Sequence, residues 1–127
     1  GCDSIIPKVK ALSSQFYQDS NVSILRKDDQ YLFISSSSRW KFDTNTSRYV
    51  GTHLHNDLLS FVYSYGECDL IVDAGAYCYT SNLKCRNEFR STKKHNTVMI
   101  DGEEQNLLAY DNAFGMKYNS DVKSLFK

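Results

Sequence analysis

Leu58-Leu59-Ser60-Phe61-Val62-Tyr63-Ser64-Tyr65, then Gly66-Glu67, then Cys68-Asp69-Leu70-Ile71-Val72-Asp73: the fold turns on this stretch. Its first arm is almost continuously apolar or aromatic. Gly66-Glu67 supplies a turn, and Leu70 to Val72 resumes the pattern, which predicts a β-hairpin in the core. Asp73, Ala74 and Gly75 end the second arm. Toward the N-terminus, Asn21 to Arg26 and Gln30 to Ser35 read as two more strands, joined at Lys27-Asp28-Asp29, whose polar side chains favour a tight turn. The segments Ser35 to Ser38 and Asp43 to Ser47 lack the apolar spacing that orders a core element, and they read as loops. Residues 1–20 are polar around Ile5, Ile6 and Val9 and read as a leader or linker with room for one short helix, so the domain proper is expected over 21–127. Toward the C-terminus the pattern predicts a charged loop from Ser81 to Lys94, then His95-Asn96, a strand from Thr97 to Ile100 and a strong turn at Asp101-Gly102. From Asn106 onward no period is clean, and the absence of a terminating element predicts a domain cut short at that end.

Composition agrees with this outline. A chain of 127 residues suits one hydrophobic core. One proline against nine tyrosines and seven phenylalanines, with Val, Ile and Thr in short runs, gives an all-β texture. Lys plus Arg and Asp plus Glu each total 15, so no net field draws the chain to nucleic acid or to an anionic membrane surface. No run approaches the roughly 20 apolar residues of a membrane span. The four cysteines, Cys2, Cys68, Cys78 and Cys85, form no CxxC pair, which argues against a zinc ribbon or a thioredoxin-like motif. Cys78 and Cys85 could bridge a loop in an oxidising compartment, and buried free thiols account for them equally well.

The residues able to carry chemistry are few. His53 and His55 stand in Gly51-Thr52-His53-Leu54-His55-Asn56-Asp57, and if that segment is extended, His53, His55 and Asp57 share one face and could bind a cation. His-x-His also occurs on solvated strands that hold nothing. Asp73 puts a carboxylate where a buried strand ends, a place that projects functional groups and equally a place where Asp serves the next turn. His95 stands just before a strand, where a hydrogen-bonded structural role is the plainer reading. Arg86 and Arg90, with Lys93 and Lys94, could pair with the carboxylates or sulfates of an anionic sugar polymer, or simply balance Glu88, Glu103 and Glu104. Tyr77 and Tyr79 alternate at strand period, which suits packing as well as a sugar platform.

The order of four blocks carries a resemblance: His53-Leu54-His55-Asn56-Asp57-Leu58-Leu59-Ser60-Phe61, Ile71-Val72-Asp73-Ala74-Gly75-Ala76-Tyr77, Asn87-Glu88-Phe89-Arg90-Ser91-Thr92 with His95-Asn96-Thr97-Val98, and Asp101-Gly102. Over roughly residues 20–106 the chain resembles the C-terminal β-sandwich domain of the heparinase II/III-like polysaccharide lyases. The resemblance implies an antiparallel, supersandwich-like β-sandwich preceded in the parent protein by an α/α-toroid domain, a partner this sequence does not contain. It implies cleavage of acidic, uronate-containing polysaccharides by β-elimination, in a periplasmic or secreted setting. It further implies His55, Asp73 and His95 as ligands of zinc or another divalent cation, and His53 as a catalytic residue facing the sugar. Asp57 then becomes a packing or hydrogen-bonding neighbour. Tyr77, Tyr79, Arg86 and Arg90 are the expected substrate-binding residues. The family takes its catalytic tyrosine chiefly from the toroid, so the chain is expected to be inactive alone. A noncatalytic carbohydrate-binding or structural β module is the competing reading, and a metal-dependent hydrolase the third.

Overall fold

The computed structural model describes residues 12–36, 41–43, 48–50, 53–117, 119–120 and 122. Residues 1–11 of the expected leader, and most of the two expected loops in 37–47, lie outside the described residues. The elements in chain order are β1 (Gln15–Tyr17), β2 (Val22–Lys27), β3 (Gln30–Ser35), β4 (Lys41–Asp43), β5 (Arg48–Val50), β6 (Ser60–Tyr65), β7 (Cys68–Ile71), α1 (Leu83–Arg90), β8 (Leu107–Leu108) and β9 (Met116–Lys117). Strands β1, β2, β3, β6 and β7 form one five-stranded antiparallel sheet in that order, while β4 with β5 and β8 with β9 make two small ribbons. This is an all-β, sandwich-like domain with little helix.

The sheet follows from the sequence directly. Asp28 takes a left-handed conformation, φ 51°, that lets β2 turn into β3 with Lys27 opposite Gln30. Leu32 pairs with Tyr63 and Ile34 with Phe61 on one face; Phe33 pairs with Val62 and Ile24 on the other. Such a strand, apolar on both sides, is built for cover on both faces. The hairpin expected from 58–73 is β6 and β7, joined at Gly66, φ 58°, and bent by a bulge at Tyr63/Ser64. Strand β1 lies inside the segment expected as a leader, and its pairing with β2 makes it part of the sheet.

Two expectations after residue 80 give way to different structures. The charged loop from Ser81 to Lys94 contains helix α1, capped by the Asn82 side chain, which accepts from Cys85 N at 3.0 Å. Helix periodicity is invisible to an apolar pattern here because the inward residues are Arg86, Asn87 and Arg90. The strand expected over Thr97 to Ile100 reduces to one bridge, Ile100 with Glu103, closed by the Asp101-Gly102 turn with φ 52° and 77°.

Leu58 is the one hydrophobic residue that is buried among the described residues, whereas Asn56, Arg86, Asn87, Arg90, Ser91, Thr92, His95 and Asn106 are buried beside it. The best-enclosed part of the domain is therefore polar. It lies where the end of the sheet, α1 and the 104–106 segment meet.

Candidate functional site

Arg90 anchors this polar region. Fully buried, it donates from Nε to Leu54 O at 3.0 Å, from Nη1 to Asn87 Oδ1 at 3.1 Å and Ala113 O at 2.9 Å, and from Nη2 to Gly115 O at 3.1 Å and Phe114 O at 3.4 Å. Every acceptor is neutral, so burial, with Arg86 adding to it, pushes its pKa down to about 10, and it stays charged at neutral pH. Glu104 works as the matching acceptor: Oε2 receives Asn56 Nδ2 at 2.6 Å, Thr92 N at 2.7 Å and Thr92 Oγ1 at 2.8 Å. Asn56 N in turn donates to Arg90 O at 2.9 Å. Gln105 spans Leu58, accepting from its N at 3.0 Å and donating to its O at 3.1 Å. Asn106 Oδ1 receives Asn119 N, Ser120 N and Ser120 Oγ. These bonds fix both flanks of His55, with Leu54 and Asn56 each tied to Arg90.

His95 is set the same way. Asn96 Nδ2 donates to Val72 O at 2.8 Å and Phe61 O at 3.2 Å, locking the residue after His95 to the end of the β6–β7 hairpin. Asp73 follows that hairpin by two residues, and the result is a line. Asp73 Oδ2 lies 2.6 Å from His95 Nδ1, His95 Nε2 lies 3.2 Å from His55 Nδ1, and His55 Nε2 lies 2.7 Å from Arg86 Nη1.

Donor inventory assigns the protons along it. A guanidinium has N–H donors and no acceptor, so His55 Nε2 must accept and the ring's proton sits on Nδ1. That proton points at His95 Nε2, which then accepts, leaving His95 Nδ1–H to donate to Asp73. Every bond runs from Arg86 toward Asp73. Burial, then the positive charge of Arg86, pull the His55 pKa down to about 4, consistent with a neutral ring. Burial alone would raise the Asp73 carboxyl, but hydrogen bonds from His95 and Gly75 N, the latter at 2.7 Å, outweigh it and hold the group below its ordinary value.

The family comparison fits this arrangement. The model of the C-terminal domain of heparinase II/III-like proteins matches residues 10–124. This chain belongs to the heparinase II/III-like family. No curated protein and no solved structure matches it. As a heparinase II/III-like C-terminal domain, it is a domain of a larger polysaccharide-acting protein. No helix among the described residues is long and apolar enough to cross a membrane.

Against that family, the expected site residues fall into three groups. His55, Asp73 and His95 are brought together from three remote stretches. Two imidazoles and a carboxylate are a donor set suited to zinc. The 3.2 Å between His55 Nδ1 and His95 Nε2 is near the roughly 3.3 Å that separates two nitrogens on one tetrahedral zinc. The three side chains nevertheless stand in line and not around a point, and among the described residues no group of three or more His, Cys, Asp and Glu forms a cation cage. His53 is not on a shared strand face with His55 or Asp57. Its φ of 72° breaks any extended period and swings the ring onto Tyr79 and Phe114, with centroids 5.5 and 4.9 Å away. Tyr77, also at positive φ, stacks on Phe89 at 4.9 Å and is 76% exposed. His53 and Tyr79 thus meet edge to face while Tyr77 lies on Phe89, and all three of His53, Tyr77 and Tyr79 are exposed.

Arg86 and Arg90, expected to meet substrate, are placed differently, since both are 0% exposed. Arg90 has no donor left for a sugar. Arg86 bonds to His55, reaches Ala113 O from Nε at 3.4 Å and lies over the Tyr79 ring at 4.8 Å. Of the expected counter-charges, Glu88 does pair with Lys94 at 2.9 Å, on the surface. Glu104, Gln105, Asn106, Asn56 and Thr92 were not foreseen as organising residues. For Glu104, Gln105 and Asn106 the sequence signal is a run of polar side chains, Glu103 to Asn106, directly after the strong Asp101-Gly102 turn.

Proposed function

We propose that this domain forms one wall of the active site of a lyase that cleaves uronate-containing polysaccharides by β-elimination, with His53 as its catalytic residue. The supporting observation is the position of His53: exposed, held at positive φ between Tyr79 and Phe114, and close in sequence to the Asp73–His95–His55–Arg86 line. Elimination requires neutralising the uronate carboxylate, removing the adjacent proton and protonating the leaving oxygen. A neutral His53 ring offers one donor and one acceptor to the first two tasks, and Tyr77 and Tyr79 offer apolar faces against which sugar rings can lie. The remaining groups are assigned to the toroid domain of the parent protein.

A divalent cation, zinc first, would be held by His55 Nδ1 and His95 Nε2, with Asp73 accepting from His95 Nδ1 behind it. Bound there, it would supply a structural cross-link between three distant stretches of chain. The residues themselves keep the two imidazoles oriented.

Affinity electrophoresis tests the binding part. The 127-residue chain should be retarded in gels containing a uronate polymer and not in neutral dextran, and Tyr77→Ala should abolish the retardation. Equal migration in both gels contradicts the reading. In the parent polypeptide, His53→Ala should lower kcat by at least about a hundredfold, in the range general acid–base groups supply; the isolated chain should form no unsaturated uronate product, followed by absorbance.

A further inference from the structure

We propose that Arg86 and a divalent cation are alternative partners of His55: the guanidinium closes the site as a hydrogen-bonded line, and an ion binds only by displacing it. This rests on the reading of His55 and His95 as cation ligands, with Asp73 behind His95, and adds a residue that controls them.

The argument is one of lone pairs. A neutral imidazole has one nitrogen with a proton and one with a free pair. While Arg86 Nη1 donates to His55 Nε2 at 2.7 Å, the free pair is taken and Nδ1, the atom facing His95, carries the proton. A metal ligand needs its pair at that very atom, and a metal-bound histidine donates its other N–H to an acceptor. Arg86 has no acceptor to offer. The hydrogen-bonded line and an ion on His55 Nδ1 therefore exclude each other. The guanidinium's positive charge, directly against the ring, opposes a cation in the same place.

Arg86 is also the guanidinium that can leave. Its Nη2 is buried without a hydrogen-bond partner, and its Nε contact with Ala113 O is long, at 3.4 Å. Apart from His55, its close neighbour is the face of Tyr79, which is 49% exposed and opens toward the surface. Arg90, one helical turn away on α1, has every N–H engaged on protein acceptors. Adjacent arginines thus divide into a fixed clamp and a displaceable one.

Zinc titration by calorimetry on the chain provides the test, after treatment with a chelator and dialysis. Arg86→Gln removes the charge and supplies an amide oxygen able to accept from His55 Nε2–H; Arg86→Met removes charge and donor together. Both should bind zinc at least about tenfold more tightly than the unsubstituted chain, the scale on which groups behind a metal ligand act. Affinity equal to or weaker than the unsubstituted chain's, with zinc bound by all three, overturns the proposal and leaves the cation reading intact. No zinc uptake by any of them removes the cation reading, and this proposal with it. Should neither variant fold, as judged by circular dichroism, the unsubstituted chain decides. On adding zinc, nitrogen-15 spectra should move the His55 proton from Nδ1 to Nε2, and a proton that stays on Nδ1 while zinc binds overturns the proposal.

Discussion

The five-stranded sheet and the polar knot at its end are stabilised in opposite ways. In the sheet, strands pair over well-matched registers while apolar side chains such as Leu25, Leu70 and Ile71 remain 47%, 60% and 37% exposed. In the knot, side chains that ordinarily seek water are fully enclosed: Arg86, Arg90, Asn56 and Asn106 are each 0% exposed. Burying such groups is favourable only when their hydrogen bonds are made, and a lost partner then costs more than the bond contributes. The sheet should consequently forgive substitution. The knot should not.

The sharpest way to break this contrast is Arg90→Met, which takes the guanidinium donors from the carbonyls of Leu54, Ala113, Phe114 and Gly115, leaving Ala113 O only the long Arg86 Nε contact and Gly115 O only Ala109 N. Urea unfolding should show a loss of about 3 kcal/mol or more, enough to threaten a small domain; a loss under about 1 kcal/mol would show that the clamp is dispensable. Glu104→Gln comes next. It replaces a carboxylate oxygen that receives three donors by an amide, and should cost about 2 kcal/mol.

Acid offers a third test, made on chelator-treated protein. His55 has a folded pKa of about 4 against an ordinary 6.5, so the unfolded chain takes up this proton first, and stability falls as pH drops from 6.5 toward 4 and then levels off. The expected loss is about 1–2 kcal/mol once solvent screening of the partly exposed ring is allowed for. Asp73, whose carboxyl is held below its ordinary value, adds a further loss only below that value, as pH falls through its folded pKa. Thermal midpoints measured between pH 7 and 4 should decline, and a flat profile would contradict a half-buried neutral His55. The smallest effect belongs to the sheet: Leu70→Thr, at an exposed position of β7, should change stability by no more than about 0.5 kcal/mol.

The same contrast explains what the sequence could and could not reveal. Strands β2, β3, β6 and β7 were legible because apolar residues and turn-forming Asp28 and Gly66 mark them at the level of single residues. Helix α1 was not, since its inward side is Arg86, Asn87 and Arg90, and a search for apolar period passes over it; the Asn82 cap and the four-residue spacing of the arginines were the available signs. The grouping of His55, Asp73 and His95 is implied by the resemblance, and their order in a line is a property of the folded chain alone, because spacing along the sequence says nothing about which ring nitrogen faces which partner. Glu104 looked like a surface charge beside Glu103. Its burial depends on Thr92 and Asn56 arriving from elsewhere in the chain, which no local pattern encodes.

The central claim is that Arg86, His55, His95 and Asp73 form one directed hydrogen-bonded line, and long-range nitrogen-15 correlation spectra of the histidine rings in metal-free protein test it most directly. The line requires neutral His55 with its proton on Nδ1 and an unprotonated Nε2, and His95 protonated on Nδ1. A His55 ring protonated on Nε2 would contradict it, because Arg86 could not then stand where it does.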